Sequence, residues 1–312
     1  MENISVDKIL EFRPDTLEAV RKDVNLDKQK IDESVALLHD WLLLQPHFTK
    51  KDFSSKYLEM TLVTCKGSVE RTKQRLDKLC TFKSLMPELF NITDVKKEFG
   101  FLKQYIEAAI LPKLTNEHNR VCFLKFTADN FDSSELFKFY KYVVLNCEYM
   151  KIHEYSCGFF IILDFREINP LNIVTTISPL ELKKLFTLVF DGYGMRVKGI
   201  HLITSSKLID ALVTLLKQVL NAKIGSRIYV HNTFESVFEF VPQEIFPIEY
   251  GGKEKPLMQL FDQWLDVLDS EENMENYREM MNAVTNESCR EANHFNECYV
   301  GMPGSFRTLS VD

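Results

Sequence analysis

Gly199-Ile-His-Leu-Ile-Thr-Ser-Ser-Lys-Leu-Ile-Asp-Ala-Leu-Val-Thr-Leu-Leu-Lys-Gln-Val-Leu220 reads as a short apolar strand that runs straight into a helix, and this pairing decides the fold. Gly199 to Ile203 has the length and composition of a buried strand. From about Ser205 to Leu220 the spacing turns helical. The polar positions Lys207, Asp210, Thr214, Lys217 and Asn221 form one narrow stripe, and nearly everything between them is apolar. A surface helix hides an apolar face of roughly 100° or a little more, so this one has apolar surface to spare and must bury two faces. Two arrangements satisfy that. The helix is sandwiched in a large core, or it is a lid with one face on an apolar ligand and the other open to a membrane.

The neighbouring sequence repeats the alternation. Val121 to Phe126, Phe159 to Phe165 and Ile228 to Val230 are further strand-like runs. One helix is predicted after Asp132, with Glu135 completing a capping box, and runs to about Met150. Another starts at Ser178-Pro179 with Glu181 three residues after the cap and stops at Asp191-Gly192. Strands alternating with helices predict an α/β layer with a mostly parallel sheet. The first ~95 residues contain only helical spacing. Ile31, Val35, Leu38 and Leu42 form one helix, closed by Pro46; Phe53, Tyr57, Leu58 and Leu62 a second; Val69, Thr72, Leu76 and Leu79 a third. Beyond Gly251-Gly252 one more amphipathic helix is predicted over Leu257 to Leu268, and the Asn/Glu-rich tail from Ser270 is expected to be poorly ordered or draped over the surface.

The chain has 312 residues, 45% of them hydrophobic, enough for one large domain and a smaller one. A formal net charge of -7 argues against a general nucleic-acid binder, which needs excess Lys and Arg to displace phosphate counterions. No run reaches the roughly 20 apolar residues that span a bilayer, and Met1-Glu2-Asn3-Ile4-Ser5-Val6-Asp7 lacks the pattern of a signal peptide, so a cytosolic protein is expected. Seven scattered cysteines without a C-x-x-C pair predict reduced thiols and no metal site.

No G-x-S-x-G elbow, P-loop or H-E-x-x-H is present, and neither catalytic residues nor a cofactor are expected. Asp164 and His201 lie in apolar strands, where such groups are usually structural. The remaining feature is local and basic. Arg196 and Lys198 precede the two-faced helix; Lys223 and Arg227 follow it. In an acidic chain that bracketing suggests an anionic surface as partner, each basic side chain near such a membrane contributing about 1 kcal/mol.

Several of these segments resemble the CRAL-TRIO family of lipid-transfer proteins. They are Gly158-Phe-Phe-Ile-Ile-Leu-Asp164, Arg196-Val-Lys-Gly-Ile-His-Leu-Ile203, Lys223-Ile-Gly-Ser-Arg-Ile-Tyr-Val-His231 and Ile245-Phe-Pro-Ile-Glu-Tyr-Gly-Gly252. Upstream, Thr72-Lys-Gln-Arg-Leu-Asp-Lys-Leu79 and Met86-Pro-Glu-Leu-Phe90 are similar to the end of that family's helical domain, and Gly304-Ser-Phe-Arg-Thr-Leu-Ser310 resembles insect members. The chain departs from the family at Gly194, at Thr204-Ser205-Ser206 and at Lys217-Gln218, where proline is common. The resemblance implies an N-terminal helical domain over residues 1–95, a lipid-binding α/β domain over 96–255 and a C-terminal helix and tail over 256–312. It also implies a hydrophobic cavity between the sheet and a gate helix carrying Leu208, Leu212, Leu215 and Leu216. Positions matching pocket-lining sites are Phe159, Ile161, Leu163, Ile177, Leu185, Leu188, Val189, Tyr193 and Met195. Those matching phosphoinositide contacts are Arg196, Lys198, Lys223 and Arg227. The implied function is intracellular, non-enzymatic binding and transfer of a retinoid, tocopherol, carotenoid or sterol-like lipid, with membrane-assisted release. The alternative is a regulatory or scaffold module that binds a phosphoinositide or a protein without transfer.

Overall fold

The structure, a computed structural model, describes residues 4–290. Five strands form one sheet in the order β1-β2-β3-β4-β5: Ile106–Ile110, Asn119–Phe126, Gly158–Asp164, Val197–Ile203 and Ile228–His231. β2 to β5 are parallel, and β1 is an antiparallel edge. The four parallel strands are those anticipated. β1, Ile-Glu-Ala-Ala-Ile, was not, because two alanines and a glutamate carry little strand propensity. It is held by its partners: β2 on one side, and Trp264, whose Nε1 donates to the Ile110 carbonyl at 2.8 Å.

Twelve α-helices are used below, numbered in chain order. α1 (Thr16–Val24), α2 (Lys28–Leu44), α3 (Ser55–Thr64), α4 (Val69–Leu85) and α5 (Val95–Phe99) make the N-terminal part. Asp27, Ser54 and Ser68 cap α2, α3 and α4 by accepting a hydrogen bond from the backbone N–H three residues on. Ile31, Val35, Leu38 and Leu42 are all buried, as their spacing requires. α6 (Ser133–His153) links β2 to β3 and opens on the expected capping box of Asp132 and Glu135. α7 (Pro170–Thr176) and α8 (Pro179–Phe186) link β3 to β4; α9 (Ile209–Val219) and the single turn α10 (Ala222–Gly225) link β4 to β5. α11 (Leu257–Leu268) and α12 (Glu271–Met281) close the described chain.

Two local differences from expectation have physical causes. After α8 the chain continues through a π-helical stretch, Thr187–Tyr193, and ends at Gly194 in the left-handed region (φ 81°) that favours glycine. The two-faced helix begins at Ile209 rather than Ser205, because the Thr204 side chain accepts the Ser206 N–H and holds the entry as a turn.

The expectation of a loosely held segment from Ser270 is corrected. α12 buries Met274, Tyr277 and Met280, an apolar stripe at i, i+3 and i+6 inside the polar composition, and Tyr277 Oη donates to the Phe90 carbonyl at 2.8 Å. Thr285 then pairs with Phe48, and Arg290 makes a bidentate ion pair with Asp77. The segment Gly304 to Ser310 lies outside the described residues.

One buried ion pair fixes α6 against the sheet. Arg120 of β2, with no exposed surface, donates to Glu154 at 2.6 Å and to the carbonyls of Leu111, Pro112 and Glu11. Removing one member leaves the other charge buried and uncompensated, which typically costs about 3–5 kcal/mol. Urea denaturation of Arg120→Leu is expected to show a loss of that size; a change below ~1 kcal/mol would mean that Glu154 finds its partner elsewhere.

Candidate functional site: an apolar cavity under the gate helix

One sheet face carries Cys122 and Leu124 of β2, Ile161 and Leu163 of β3 and Ile200 of β4, brought side by side by the pairing of Cys122 with Ile161 and of Ile161 with Ile200. The helices over this face do not fill it. A cavity of about 220 Å³ remains between the sheet, α6, α7, α8, the π-helical stretch and α9. Among the described residues its wall contains no Lys, Arg, His, Asp or Glu. An apolar hollow of this kind receives apolar ligands and offers water few partners.

Six of the nine residues matched to lining positions meet here: Ile161, Leu163, Ile177, Leu185, Val189 and Met195. Phe159 lies on the same face of β3 as Ile161 but beyond the cavity. Together with Tyr193 it walls a smaller cavity of about 50 Å³ against α3. The Tyr193 hydroxyl is committed elsewhere, donating to Glu148 at 2.6 Å. Leu188 is fully buried against the helical domain, with Leu79 and Phe82 around it. Val189, next to it in the π-helical stretch, belongs to the same buried cluster but also reaches the larger cavity.

On α9, Leu212 and Leu216 form part of the cavity wall, Leu215 is buried outside it, and Leu208 is 45% exposed. The stripe Lys207, Asp210, Thr214 and Lys217 faces outward, and α9 packs on α7 and α8. Sequence reasoning missed the wall built by α6, including Phe139, Tyr140, Tyr142, Asn146 and Met150. The available signal was Asn146, an amide inside the apolar run Val143 to Cys147.

The four basic residues are not equally available. Arg196 pairs with Asp23 of α1 at 2.6 Å, and Arg227 donates to the Val197 carbonyl. Among the described residues Lys198 and Lys223 form no ion pair, and Lys223 is exposed. Because α10 is a single turn that ends before Arg227, Lys223 and Arg227 do not share a helix face.

On the opposite sheet face Asp164 is held by Arg166 (2.7 Å) and by the Tyr250 hydroxyl (3.1 Å). His201 hydrogen-bonds His231 at 2.9 Å, and His231 Nδ1 meets Ser236 Oγ at 2.7 Å. Burial and the neighbouring His231 hold the His201 imidazole down at about 4, so it is uncharged at neutral pH. Both groups lie under Phe240 and Tyr250, away from the cavity. Among the described residues no helix is long and apolar enough to cross a membrane, and no group of three His, Cys, Asp or Glu side chains is placed to hold a metal.

A mostly parallel sheet with one unfilled apolar face, roofed by helices and preceded by a helical domain, encloses a hollow suited to an apolar ligand. The comparisons agree. Residues 106–252 match the CRAL/TRIO domain, and residues 27–99 match the Pinta-like UBA domain. Over residues 106–252 the chain is a CRAL-TRIO domain. It is 27% identical over 96 residues to the alpha-tocopherol transfer protein-like proteins of Mus musculus and Homo sapiens, a match spanning 30% of this chain and 28% of those relatives. The crystal structure of Sfh5 superposes with a TM-score of 0.51 at 10% identity, over 87% of this chain and 99% of that one, a likeness of fold.

The smaller cavity holds Lys151, 5% exposed, whose Nζ lies over the Tyr57 ring and donates to the Tyr193 carbonyl at 3.3 Å. Burial, helped by the Arg75 charge, draws its amine down to about 7. The unfolded chain keeps that proton up to about pH 10, so between about 7 and 10 it binds more protons than the folded chain, and Lys151's contribution to stability rises with pH. Relative to Lys151→Met, the wild-type protein should therefore gain on the order of 1–2 kcal/mol between pH 6.5 and 8.5 in urea titrations. A constant difference across that range would mean that the amine keeps its proton in the folded chain.

Proposed function

We propose that the chain carries a small, uncharged, apolar lipid in the cavity beneath α9 and delivers it at an anionic membrane surface, without catalysis. The observation that carries this reading is the cavity wall, largely apolar and, among the described residues, free of Lys, Arg, His, Asp and Glu. A ligand burying about 400 Å² of apolar surface gains on the order of 10 kcal/mol at ~25 cal/mol/Å², before the costs of association. Release into water is correspondingly slow. A membrane facing the opening supplies an apolar destination and removes that barrier.

The gate in this reading is α9, with Leu208, Leu212, Leu215 and Leu216. Around it Leu171 of α7, Leu180 of α8 and Leu208 are 37%, 40% and 45% exposed, so three packed helices present leucine to solvent together. That is a surface suited to the acyl boundary of a bilayer. Lys198 and Lys223 are the free charges that reach lipid headgroups, and Arg196 and Arg227 join them by exchanging their present partners. Phe159, Leu188 and Tyr193, with Ile161, Leu163, Ile177, Leu185, Val189 and Met195, are proposed to shape the ligand site, the first three from behind the wall. The division at residues 95 and 255 is part of the same proposal: the helical part holds the lipid-binding part, which works in the cytoplasm as a peripheral membrane visitor. The class of ligand is the one the sequence resemblance implies, a retinoid, tocopherol, carotenoid or sterol-like molecule, of which the relatives' name carries the tocopherol member.

The ion pair of Arg196 with Asp23 supports the second reading, a regulatory or scaffold module that holds its basic residues for internal use. Mass spectrometry of the organic extract separates the two. Carriage predicts one stoichiometric apolar lipid, whereas an empty extract from protein that takes up no lipid favours the module.

Lys198→Glu with Lys223→Glu is expected to weaken binding to phosphatidylserine vesicles by about 2 kcal/mol or more at low salt, with the difference shrinking as salt rises. Ligand uptake should stay unchanged, and unaltered vesicle binding would remove the basic set from the mechanism. Leu180→Asp with Leu208→Asp, both at exposed positions, should slow transfer between vesicles while leaving the thermal transition in place. Transfer at the wild-type rate would relocate the membrane face.

A further inference from the structure

The smaller cavity, about 50 Å³ between α3, α6 and the turn at Gly194, gathers positive charge that the protein does not balance. Lys151 and Arg196 line it. Gly194 lines it too, and a Cβ on that glycine would overlap the Arg75 guanidinium, so Arg75 lies against the same wall. The carboxylates around this place are engaged. Glu148 holds Lys83 at 3.2 Å and the Tyr193 hydroxyl at 2.6 Å, Glu154 holds Arg120, and Asp23 holds Arg196 through Nη2. Among the described residues two buried donors keep no partner, Arg196 Nη1 and Arg75 Nε. Buried donors of that kind cost free energy unless an acceptor comes to them. Lys151 gives one N–H to the Tyr193 carbonyl and lies over the Tyr57 ring, and nothing around it supplies a free negative charge.

The missing acceptor can be made on Lys151 itself. We propose that Lys151 is a carbon dioxide site, its amine adding to CO2 to form a carbamate whose oxygens accept hydrogen bonds from Arg196 Nη1 and Arg75 Nε. The nitrogen lone pair forms the new C–N bond, one C–O π pair becomes an oxygen lone pair, and the proton lost by nitrogen passes to solvent; nothing is oxidised or reduced. The cavity has room for so small a molecule, a water occupying roughly 30 Å³ in the liquid. Phosphate, sulfate or bicarbonate would have to shed its water to enter a space walled largely by Met60, Val63, Met150 and Phe159, whereas CO2 enters uncharged and acquires its charge in place. The reaction needs a neutral amine. An ordinary lysine has about one molecule in a thousand in that form near pH 7.4, while burial, helped by the Arg75 charge, draws Lys151 down to about 7, which sets it apart from the exposed lysines. The carbamate would tie α4, α6 and the start of β4 together where the helical part meets the sheet.

This site is independent of lipid carriage, and its test uses no lipid. The full-length protein is equilibrated with carbon-13 CO2, treated with triethyloxonium ion to ethylate any carbamate oxygen, and digested with trypsin. Trypsin cuts after Lys141 and Arg166 but not after a modified Lys151, so the label is expected in one peptide, residues 142–166. At fixed dissolved CO2 the labelling should rise from pH 6 to pH 8, as the amine loses its proton. In Arg196→Gln and in Arg75→Gln, each checked for an intact thermal transition, labelling should fall by about tenfold, the loss of one hydrogen bond to a charged group. A second reading needs no variant: the carbamate carbon resonance of the wild type should disappear when urea unfolds the chain, because Lys151 then returns to the ordinary lysine range. Absence of label at Lys151 under saturating CO2 overturns the proposal. Label that persists at full strength in both arginine variants, or in the unfolded chain, overturns the assignment of the cavity as the site. A rise in thermal stability with sulfate or phosphate, without label at Lys151, would show a free anion in the cavity and overturn the carbamate.

Discussion

The sheet face formed by Cys122, Leu124, Ile161, Leu163 and Ile200 must be kept from water, yet the helices that cover it do not interdigitate with it. In an ordinary α/β domain the crossover helices pack directly on the strands at crystal-like density. Here α6, α8 and α9 roof a space instead. The chain forgoes the dispersion contacts that filling this space would provide and must recover stability elsewhere. Much of that recovery is visible in the helical part. The core of α2, α3 and α4 extends into α6, α8 and the π-helical stretch through Val144, Cys147, Leu185 and Leu188, so the roof is braced from outside.

This arrangement explains which features were legible beforehand. The parallel strands are dense apolar runs and α6 carries its own start signal, so both could be read locally. The breadth of apolar surface on α9 likewise announced a helix with two faces to satisfy. Three elements were not legible for one shared reason. β1, the π-helical stretch and α12 owe their form to contacts with distant segments: β2 and Trp264 for the first, α4 for the second, Phe90 for the third. Leu188 illustrates the cost at the level of a single side chain. Helical spacing puts it beside Leu185, and both join the core shared with the N-terminal helices, but only Leu185 also reaches the cavity.

The electrostatics divide in the same way. Asp164 and His201 sit in apolar strands and looked structural, and the structure gives both of them neighbours that account for their burial. The basic residues around α9 looked equivalent in sequence. Their surroundings separate them into Arg196 and Arg227, engaged with the protein, and Lys198 and Lys223, which are not. Spacing along a chain records how near two charges are in sequence, and it carries no information about which carboxylate a third element brings up against one of them.

The C-terminal helix has a bearing on how this chain is made. Met280 and Ala283 belong to the core of the N-terminal helices, and Lys83 Nζ donates to the Met280 carbonyl at 2.9 Å. The helices α2 to α4 therefore expose an incomplete core until residues 280–283 have been synthesised. Domains commonly fold as units, N-terminal first, during synthesis. This region cannot finish in that order: α2 to α4 and α12 have to meet before either is fully packed, and a product truncated before residue 280 keeps an open seam where the end of α12 should lie.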